Sequence, residues 1–327
     1  MGKTIARLIG GLSILVLAAC TGDTGPAGPP GPPPSVDAGD AAEINAEITG
    51  VTVSSPPVVE FALADGNGNA ITGLNPGAIG FSIAKLVPGT DGNNSFWQSY
   101  VNEIEQPGVG PGTEPKLQAV TENGSAGELI DNNDGTYRYT FATDITNVTE
   151  PVPISYQPTL RHRVTFEVRG VAPVVNPHYD FRPSDGATTG LFSREIANMD
   201  RCNNCHEEIA FHGGARFTMQ NCVNCHNPGS ADANSGNTVD MTVMTHKLHH
   251  GENLPSVISG GEYCIYGFRD IQHCYDDVVY PQDIRNCSNC HNENDAETPD
   301  AANWYTQPTA EACGSCHDDV NFDTGDN

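Results

Sequence analysis

The sequence predicts two domains: an N-terminal all-β Greek-key sandwich or split barrel, followed by a mostly irregular domain with short helices. Short runs of alternating apolar residues, separated by Gly, Pro and Asn, occupy the first half of the chain, as in antiparallel strands joined by turns. Ten of the 11 cysteines follow residue 200, so the second half has a different chemistry. The 35 Gly and 24 Pro among 327 residues favour turns and loops over long helices.

Residues 1–19 are typical of a bacterial export signal. Lys3 and Arg7 precede the apolar run 8–19, which is too short to span a membrane as a helix. The run ends in Leu-Ala-Ala-Cys20, which matches the lipobox of bacterial lipoproteins, so we expect cleavage before Cys20 and lipid attachment to it. The alternative is an ordinary signal peptide with an incidental cysteine.

A Pro/Gly-rich tether is predicted over 20–42. Its collagen-like stretch, 21–34, is too short for a stable triple helix, and we interpret it as a semi-rigid polyproline spacer or a disordered linker. At about 3.1 Å per residue such a spacer extends on the order of 40 Å. Either form would hold the body of the protein away from the membrane to which it is anchored.

The β domain is predicted over 43–175. Asp-Gly-Asn-Gly-Asn at 65–69 is a turn signal between two of its apolar runs. We expect the histidines of this part of the chain, His162 and His178, to be surface or turn residues rather than ligands. The predicted strands lie at 44–48, 51–53, 58–63, 79–83, 96–101, 137–141 and 164–168.

The second domain, 176–327, contains one five-residue pattern four times, Cys-x-x-Cys-His, which is the attachment signature of c-type haem. Two thiols three positions apart form thioethers to one porphyrin, and the adjacent histidine becomes the proximal iron ligand. The zinc-knuckle alternative leaves the four histidines unexplained and supplies too many soft ligands. We therefore predict four covalently bound haems c. Their residues are Cys202, Cys205 and His206; Cys222, Cys225 and His226; Cys287, Cys290 and His291; and Cys313, Cys316 and His317.

Low-spin haem needs a second axial ligand, and five histidines after residue 200 lie outside the four motifs. His246, His249 and His250 fall in the best predicted helix of this domain, 238–251, where Thr238 or Asp240 caps the start and Gly251 the end. The other two histidines are His212, in Ala-Phe-His-Gly-Gly, and His273, in a loop before the third motif. Methionine is the competing type of axial ligand. The methionines available in this domain are Met199, Met219, Met241 and Met244.

Two further cysteines, Cys264 and Cys274, are not followed by histidine and are not haem sites of the usual kind. In an exported protein the expected state of such a pair is a local disulfide. This bond would constrain the loop that carries His273.

Charge excludes some classes of function. The chain has 15 Lys and Arg against 41 Asp and Glu, a formal net charge of −26. Nucleic-acid binding and electrostatic attraction to anionic lipid are therefore excluded, and membrane association is expected through the lipid anchor alone.

These motifs and several longer strings resemble the OmcA/MtrC-type outer-membrane decahaem cytochromes. The similar strings are 179–183, 211–214, 222–229, 243–257, 280–287 and 312–322. The resemblance implies an outer-membrane, surface-exposed protein that moves electrons to extracellular acceptors. It implies that His212, His246, His249 and His273 are the distal ligands and that His250 is not a ligand. The alternative is that His250 is the ligand in place of His249.

Members of this family alternate two β domains with two pentahaem domains, whereas this sequence ends after four motifs. It is expected to be a natural tetrahaem member or a truncated reading frame. The predicted function is electron transfer without bond-making chemistry, towards metal oxides, soluble shuttles or partner cytochromes, with an outer-membrane electron conduit or other multihaem cytochromes as partners. The rival prediction is a multihaem reductase of a small oxyanion, in which one haem has an open distal face. Such an enzyme needs a cationic pocket for its substrate, and Lys and Arg are scarce after residue 201, which favours electron transfer.

Overall fold

The computed structural model describes residues 34–90, 92–170, 176–322 and 324–326. The predicted export signal, the lipidation site Cys20 and the tether up to residue 33 lie outside them. In the described part, strands dominate up to residue 181 and short helices dominate afterwards. The predicted order, a β domain followed by a mostly irregular domain with short helices, is confirmed.

The described strands and helices are numbered in chain order. The strands are β1 (Ser35–Asp37), β2 (Asn45–Thr52), β3 (Val58–Ala64), β4 (Ala70–Thr72), β5 (Ile79–Val87), β6 (Phe96–Ser99), β7 (Asn102–Glu105), β8 (Lys116–Ala119), β9 (Glu122–Asn123), β10 (Glu128–Asp131), β11 (Thr136–Thr140), β12 (His162–Val168), β13 (His178–Phe181), β14 (Cys264–Tyr266) and β15 (Gln272–Cys274). The helices are α1 (Met199–Asn203), α2 (Met219–Cys225), α3 (Met241–His250), α4 (Pro255–Ile258), α5 (Asn303–Thr306) and α6 (Ala310–Gly314).

Two sheets form the β domain. The first has the order β1-β4-β3-β11-β10, with β2 also paired to β3, and the second has the order β13-β12-β5-β6, with β9 also paired to β5. All pairs are antiparallel except β1 with β4. Since residues of both sheets share one buried core, the domain is a sandwich.

Aromatic side chains fill the space between the sheets. Phe61 stacks on Tyr137 with ring centroids 5.1 Å apart, and Phe81 stacks on Tyr139 at 4.1 Å. Phe166 of the second sheet lies 4.9 Å from Phe61 and 5.5 Å from Phe81. These five residues alternate with outward-facing positions on β3, β5, β11 and β12, which is the period-two pattern seen in the sequence.

The sandwich extends beyond the expected limits of 43 and 175. β1 pairs with β4 inside the segment assigned to the tether, and β13 pairs with β12 inside the segment assigned to the second domain. Both strands are short, three and four residues, so neither shows a readable alternation.

His162 does not lie on the surface, so that expectation is wrong. It is fully buried on β12, where its Nε2 lies 2.9 Å from the hydroxyl oxygen of Tyr100 and the two rings stack at 5.7 Å. Burial lowers the pKa of His162 to about 4. The reason is periodicity: His162 shares a strand face with Val164 and Phe166, which are core residues. His178, on the edge strand β13, has an exposed fraction of 43%.

The outer face of the second sheet is buried too, because the second domain packs on it. α2 contacts β5, β6 and β12. Val223 of α2 packs against Ala84, Leu86 and Trp97, and Asn224 Nδ2 donates a 3.0 Å hydrogen bond to Ser82 Oγ.

A buried charge cluster lies on the same face. Arg163 of β12, with 1% of its side chain exposed, donates to Asp180 at 2.8 Å and to Glu195 at 2.7 Å, and its guanidinium lies 4.3 Å from the ring centroid of Trp97. Arg161 pairs with the same two carboxylates. The cluster joins the sandwich to the segment that leads into the second domain.

The longest helix of the second domain agrees with the prediction for 238–251. The Asp240 carboxylate caps its start by accepting from the Val243 amide, and Gly251, at φ 48°, ends it. Within the described residues, none of the helices combines the length and the apolar character needed to cross a bilayer.

Candidate haem-binding site

The four Cys-x-x-Cys-His motifs share one backbone geometry. In each, the amide of the histidine donates to the carbonyl of the first cysteine, at 3.0, 2.8, 2.9 and 3.0 Å in chain order. Each motif is therefore one helical turn, which brings its cysteines, three positions apart, and its histidine to one side of the turn. Thr218 and Thr309 cap the turns of the second and fourth motifs through their hydroxyl groups.

The eight motif cysteines form no disulfide, whereas Cys264 and Cys274 are bonded to each other at 2.03 Å. Burial raises the pKa of the thiol in five motif cysteines. They are Cys202, Cys222, Cys225, Cys290 and Cys316.

Three motif histidines face a histidine from elsewhere in the chain. The ring centroids of His206 and His249 are 5.9 Å apart, those of His226 and His212 are 6.0 Å apart, and those of His291 and His246 are 6.2 Å apart. A metal–imidazole bond of about 2 Å on each side of one ion puts two opposite ring centroids about 6 Å apart. These pairs have the spacing of two axial ligands of one iron.

Hydrogen bonds fix the ring nitrogens of two of these histidines. Nδ1 of His226 donates to the carbonyl of Val239, and Nδ1 of His249 donates to the carbonyl of Thr245, both at 2.8 Å. An imidazole that donates from Nδ1 has its lone pair on Nε2, the nitrogen that binds a metal. The donor set therefore fits haem iron.

Burial favours the neutral form of three of these histidines, which is the form that coordinates a metal. It lowers the pKa of His212 to about 4, helped by the Arg216 guanidinium, and it also lowers the pKa of His226 and His246. In His246 the neighbouring His291 adds to the shift.

The fourth motif lies beside the end of α3. Lys247 Nζ is 2.6 Å from the carboxylate of Asp318, the residue after His317, and α3 packs against α6. His250, three residues after Lys247, lies on the same side of α3 and at the same end of the helix. Burial lowers its pKa.

His273 lies elsewhere. It is exposed on β15, opposite Ile265 of β14, and its ring lies against Gly267. Among the residues that the structure describes, no ring contact joins it to a motif histidine. The sequence-based assignment of His273 as distal ligand therefore lacks the ring contact with a motif histidine that His212, His246 and His249 have.

The motifs are also neighbours of one another. Beyond burial, Cys202 raises the pKa of Cys222, Cys290 raises that of Cys202, and Cys287 raises that of Cys316. Arg201 connects the first and third motifs directly, by donating to the carbonyls of Asn289 at 2.9 Å and Ser288 at 3.2 Å. The first and third motifs are therefore neighbours, although they are not consecutive in the chain.

The sequence does not indicate which residues of the sandwich lie beside the motifs. Glu167 of β12 is fully buried and pairs with Arg216, four residues after His212. Its outward position on the strand predicts exposure. Only the docking of the second domain on this face explains its burial, and no sequence signal shows that docking.

Four one-turn attachment motifs, facing imidazoles and a β-sandwich that supports them define a multihaem c-type cytochrome. Two family models match the chain: the OmcA-like N-terminal domain over residues 42–188, and domains II/IV of outer membrane cytochromes of the MtrC/MtrF type over residues 194–327. The multiheme cytochrome MtrC of Shewanella baltica (strain OS185) is 29% identical over 288 residues, which are 84% of this chain and 36% of that protein.

Two crystal structures are similar to the chain. The outer membrane decaheme cytochrome OmcA matches with a TM-score of 0.79 and 31% identity, over 86% of this chain and 44% of that one. MtrC from Shewanella baltica OS185 matches with a TM-score of 0.61 and 26% identity, over 87% and 41%. The chain belongs to the OmcA/MtrC family, and it spans less than half the length of these relatives.

Proposed function

We propose that the protein is an electron-transfer cytochrome with four covalently bound haems c, each ligated by two histidines, which carries electrons at the cell surface towards extracellular acceptors. The observation that carries the proposal is the set of three facing imidazole pairs, each within reach of the two cysteines of one motif. Haem with two axial imidazoles cycles between ferric and ferrous iron without binding a substrate.

The distal ligands in this proposal are His212 for the second motif, His249 for the first, His246 for the third and His250 for the fourth. α3 would then supply three ligands to three haems. His250 takes the place expected for His273, because it lies at the end of α3 beside the fourth motif while His273 is exposed on its hairpin. The family resemblance supports a ligand role for all of these residues except His250.

In this proposal the haems follow one another in the order second, first, third, fourth, which would make the electron path linear. Electrons would enter and leave at its two ends, the second haem beside the sandwich and the fourth haem beside α6. Donors of the required kind are an outer-membrane electron conduit or another multihaem cytochrome, and acceptors are metal oxides, soluble shuttles or partner cytochromes. The export signal and Cys20 support attachment to the outer membrane through lipid, with the body of the protein exposed.

The second candidate, a reductase of a small oxyanion, needs a haem with an open distal face beside cations. Three cations of the second domain are engaged with carboxylates: Arg216 with Glu167, Lys247 with Asp318, and Arg285 with Asp283. This pairing favours electron transfer, because a paired cation has little capacity left for a substrate anion.

The decisive experiment combines intact mass, spectroscopy and kinetics of the purified full-length protein. Intact mass should show four haems, and the oxidised spectrum should lack the charge-transfer band of high-spin haem. The reduced protein should pass electrons to soluble ferric chelates and flavin. A high-spin haem together with turnover of nitrite or a sulfur oxyanion would overturn the proposal in favour of the reductase.

A further inference from the structure

The second motif has surroundings unlike those of the other three. Cys225 is buried, and burial raises the pKa of Cys222 to about 11. In contrast, Cys205 of the first motif and Cys313 of the fourth are exposed. The difference arises because α2, which carries the second motif, packs on β5, β6 and β12 of the sandwich.

The loop that carries His212 is held in place by the sandwich and the segment that follows it. Phe211 pairs with Arg216 as an isolated β-bridge, which closes a turn in which His212 itself adopts φ 54°. Asn176 fixes the far side of the loop, donating to the Ala215 carbonyl and accepting from the Phe217 amide, both at 2.8 Å. A non-glycine residue in the left-handed region persists only where its surroundings hold it.

A buried ion pair lies beside this loop. The side chain of Glu167 is 0% exposed and that of Arg216 is 11% exposed. Nη2 of Arg216 donates to Glu167 Oε1 at 3.2 Å, and its Nε also donates to the same carboxylate. Glu167 accepts in addition from Arg169, whose side chain is half exposed. One buried carboxylate thus balances one buried and one hydrated guanidinium.

The ion pair lies beside the second motif. Arg216 is four residues after His212, whose ring centroid is 6.0 Å from that of His226. Glu167, its partner, is on β12, one of the strands on which α2 and the second motif pack. Both charges are therefore close to the second attachment site.

Reduction adds one negative charge to the haem, so a nearby positive charge favours the ferrous state and a nearby negative charge favours the ferric state. Burial acts in the same direction as the positive charge, because the ferrous haem core carries less charge than the ferric one. The balance between the Glu167 and Arg216 charges therefore acts on the reduction potential of a haem at the second motif.

We propose that Glu167, on a strand of the β domain, sets the reduction potential of the haem of the second motif through its pairing with Arg216. The inference rests on the proposed function, since it needs a haem at Cys222 and Cys225. Glu167 is a positioning residue: it touches Arg216 and not the ligands. The sandwich is then more than a support, because one of its strands tunes the end of the electron path.

The test is a spectropotentiometric titration of the full-length holoprotein and its variants, with EPR to follow each haem. Glu167→Gln removes the negative charge and should raise one of the four midpoint potentials, leaving the other three unchanged. Arg216→Gln should lower the same potential. Each change should alter the ferrous-to-ferric ratio at a fixed potential by about tenfold, which is about 59 mV for one electron.

Three controls separate charge from structure. Arg216→Lys keeps the charge and should leave the potential near its original value. In the double variant E167Q/R216Q, the opposite shifts in potential of the two single changes should largely cancel. Glu60→Gln removes a carboxylate from an exposed ion pair, in which the side chains of Glu60 and Arg138 are 56% and 54% exposed. It should change none of the four midpoint potentials. His212→Met identifies the second haem, because it changes the EPR signal of that haem alone.

Two sets of outcomes overturn the inference. The first is that E167Q and R216Q shift the same midpoint potential in the same direction. The second is that either variant shifts all four midpoint potentials equally or shifts none of them. Fewer than four haems by intact mass in the unaltered protein would instead overturn the proposed function. If E167Q is poorly produced, R216K and R216Q still decide the matter, because they differ in charge at the same position.

Discussion

The imidazole rings of His246 and His291 lie 6.2 Å apart with 33° between their planes. His246 is on α3 and His291 follows a 3₁₀ turn of the third motif, so tertiary structure alone brings them together. The same relationship recurs between His249 and His206 at 5.9 Å. One helix thus presents imidazoles to separate attachment motifs.

The first prediction concerns the histidines of α3. Changing His246, His249 or His250 to Ala should in each case convert one haem of four to high spin, because each removes one axial ligand. The double change of His246 and His249 should convert two. Optical and EPR spectra of the oxidised protein count the high-spin haems. If His273→Ala produces a high-spin haem and His250→Ala does not, the two residues exchange roles.

The second prediction concerns the hairpin of β14 and β15. Peptide mapping without reductant should recover Cys264 and Cys274 joined, and replacing both with Ser should leave all four haems low-spin. The reason is that the hairpin carries His273, which is exposed and is not one of the proposed ligands. A high-spin haem in the double Ser variant would show that the hairpin does hold a ligand.

The third prediction concerns the buried charge cluster. Asp180→Ala should cost roughly 3 kcal/mol in the free energy of unfolding, because it leaves the buried Arg163 with Glu195 alone. Denaturant titration followed by far-ultraviolet circular dichroism measures this cost. Glu60→Ala, which breaks an exposed pair, should cost less than about 1 kcal/mol. Equal costs for the two variants would contradict the role given to the cluster.

Low pH should also reduce the contribution of Asp180 to the stability of the folded protein. Burial opposes its ionisation, but Arg163 and Arg161 hold its pKa at about 2, below the ordinary 3.8. Its folded pKa is therefore depressed, so its contribution to stability is complete above pH 3.8 and is lost as the pH falls towards 2.

The fourth prediction concerns His162 in a higher pH window. Its pKa is about 4 in the folded protein and 6.5 when exposed, so the unfolded chain binds the extra proton between these values. Stability is complete above pH 6.5 and falls as the pH drops to 4, by at most about 1.4 kcal/mol per pH unit. His162→Gln should flatten this dependence, whereas His178→Gln, at a half-exposed position, should change it little. Parallel curves for wild type and His162→Gln would contradict the prediction.

Much of the fold follows from local patterns. The alternation of Phe61 with its neighbours, and of Phe81, Tyr137 and Phe166 with theirs, predicts strands with one face in a core. The helix that ends at Gly251 is predicted by its caps and its spacing. These features depend on residues close together in the chain, and so the sequence displays them.

The rest depends on contacts between distant segments. Glu167 has an outward position on β12, and only the docking of α2 on that face buries it. The choice between His250 and His273 depends on where the fourth motif docks, which Lys247 and Asp318 fix across the second domain. Arg201 likewise joins the first motif to the third, and these motifs are not consecutive in the chain.

The length of α3 has a consequence for how the family can vary. His246 and His250 are four residues apart, about 6 Å along the helix axis, and a rigid helix fixes that separation. Loops between the attachment motifs can therefore gain or lose residues without changing the spacing of the proposed distal ligands. A one-residue insertion between His246 and His250, in contrast, would rotate the proposed ligands by about 100° relative to one another. The segment 246–250 should therefore tolerate insertion poorly, although all five of its side chains are only half-buried.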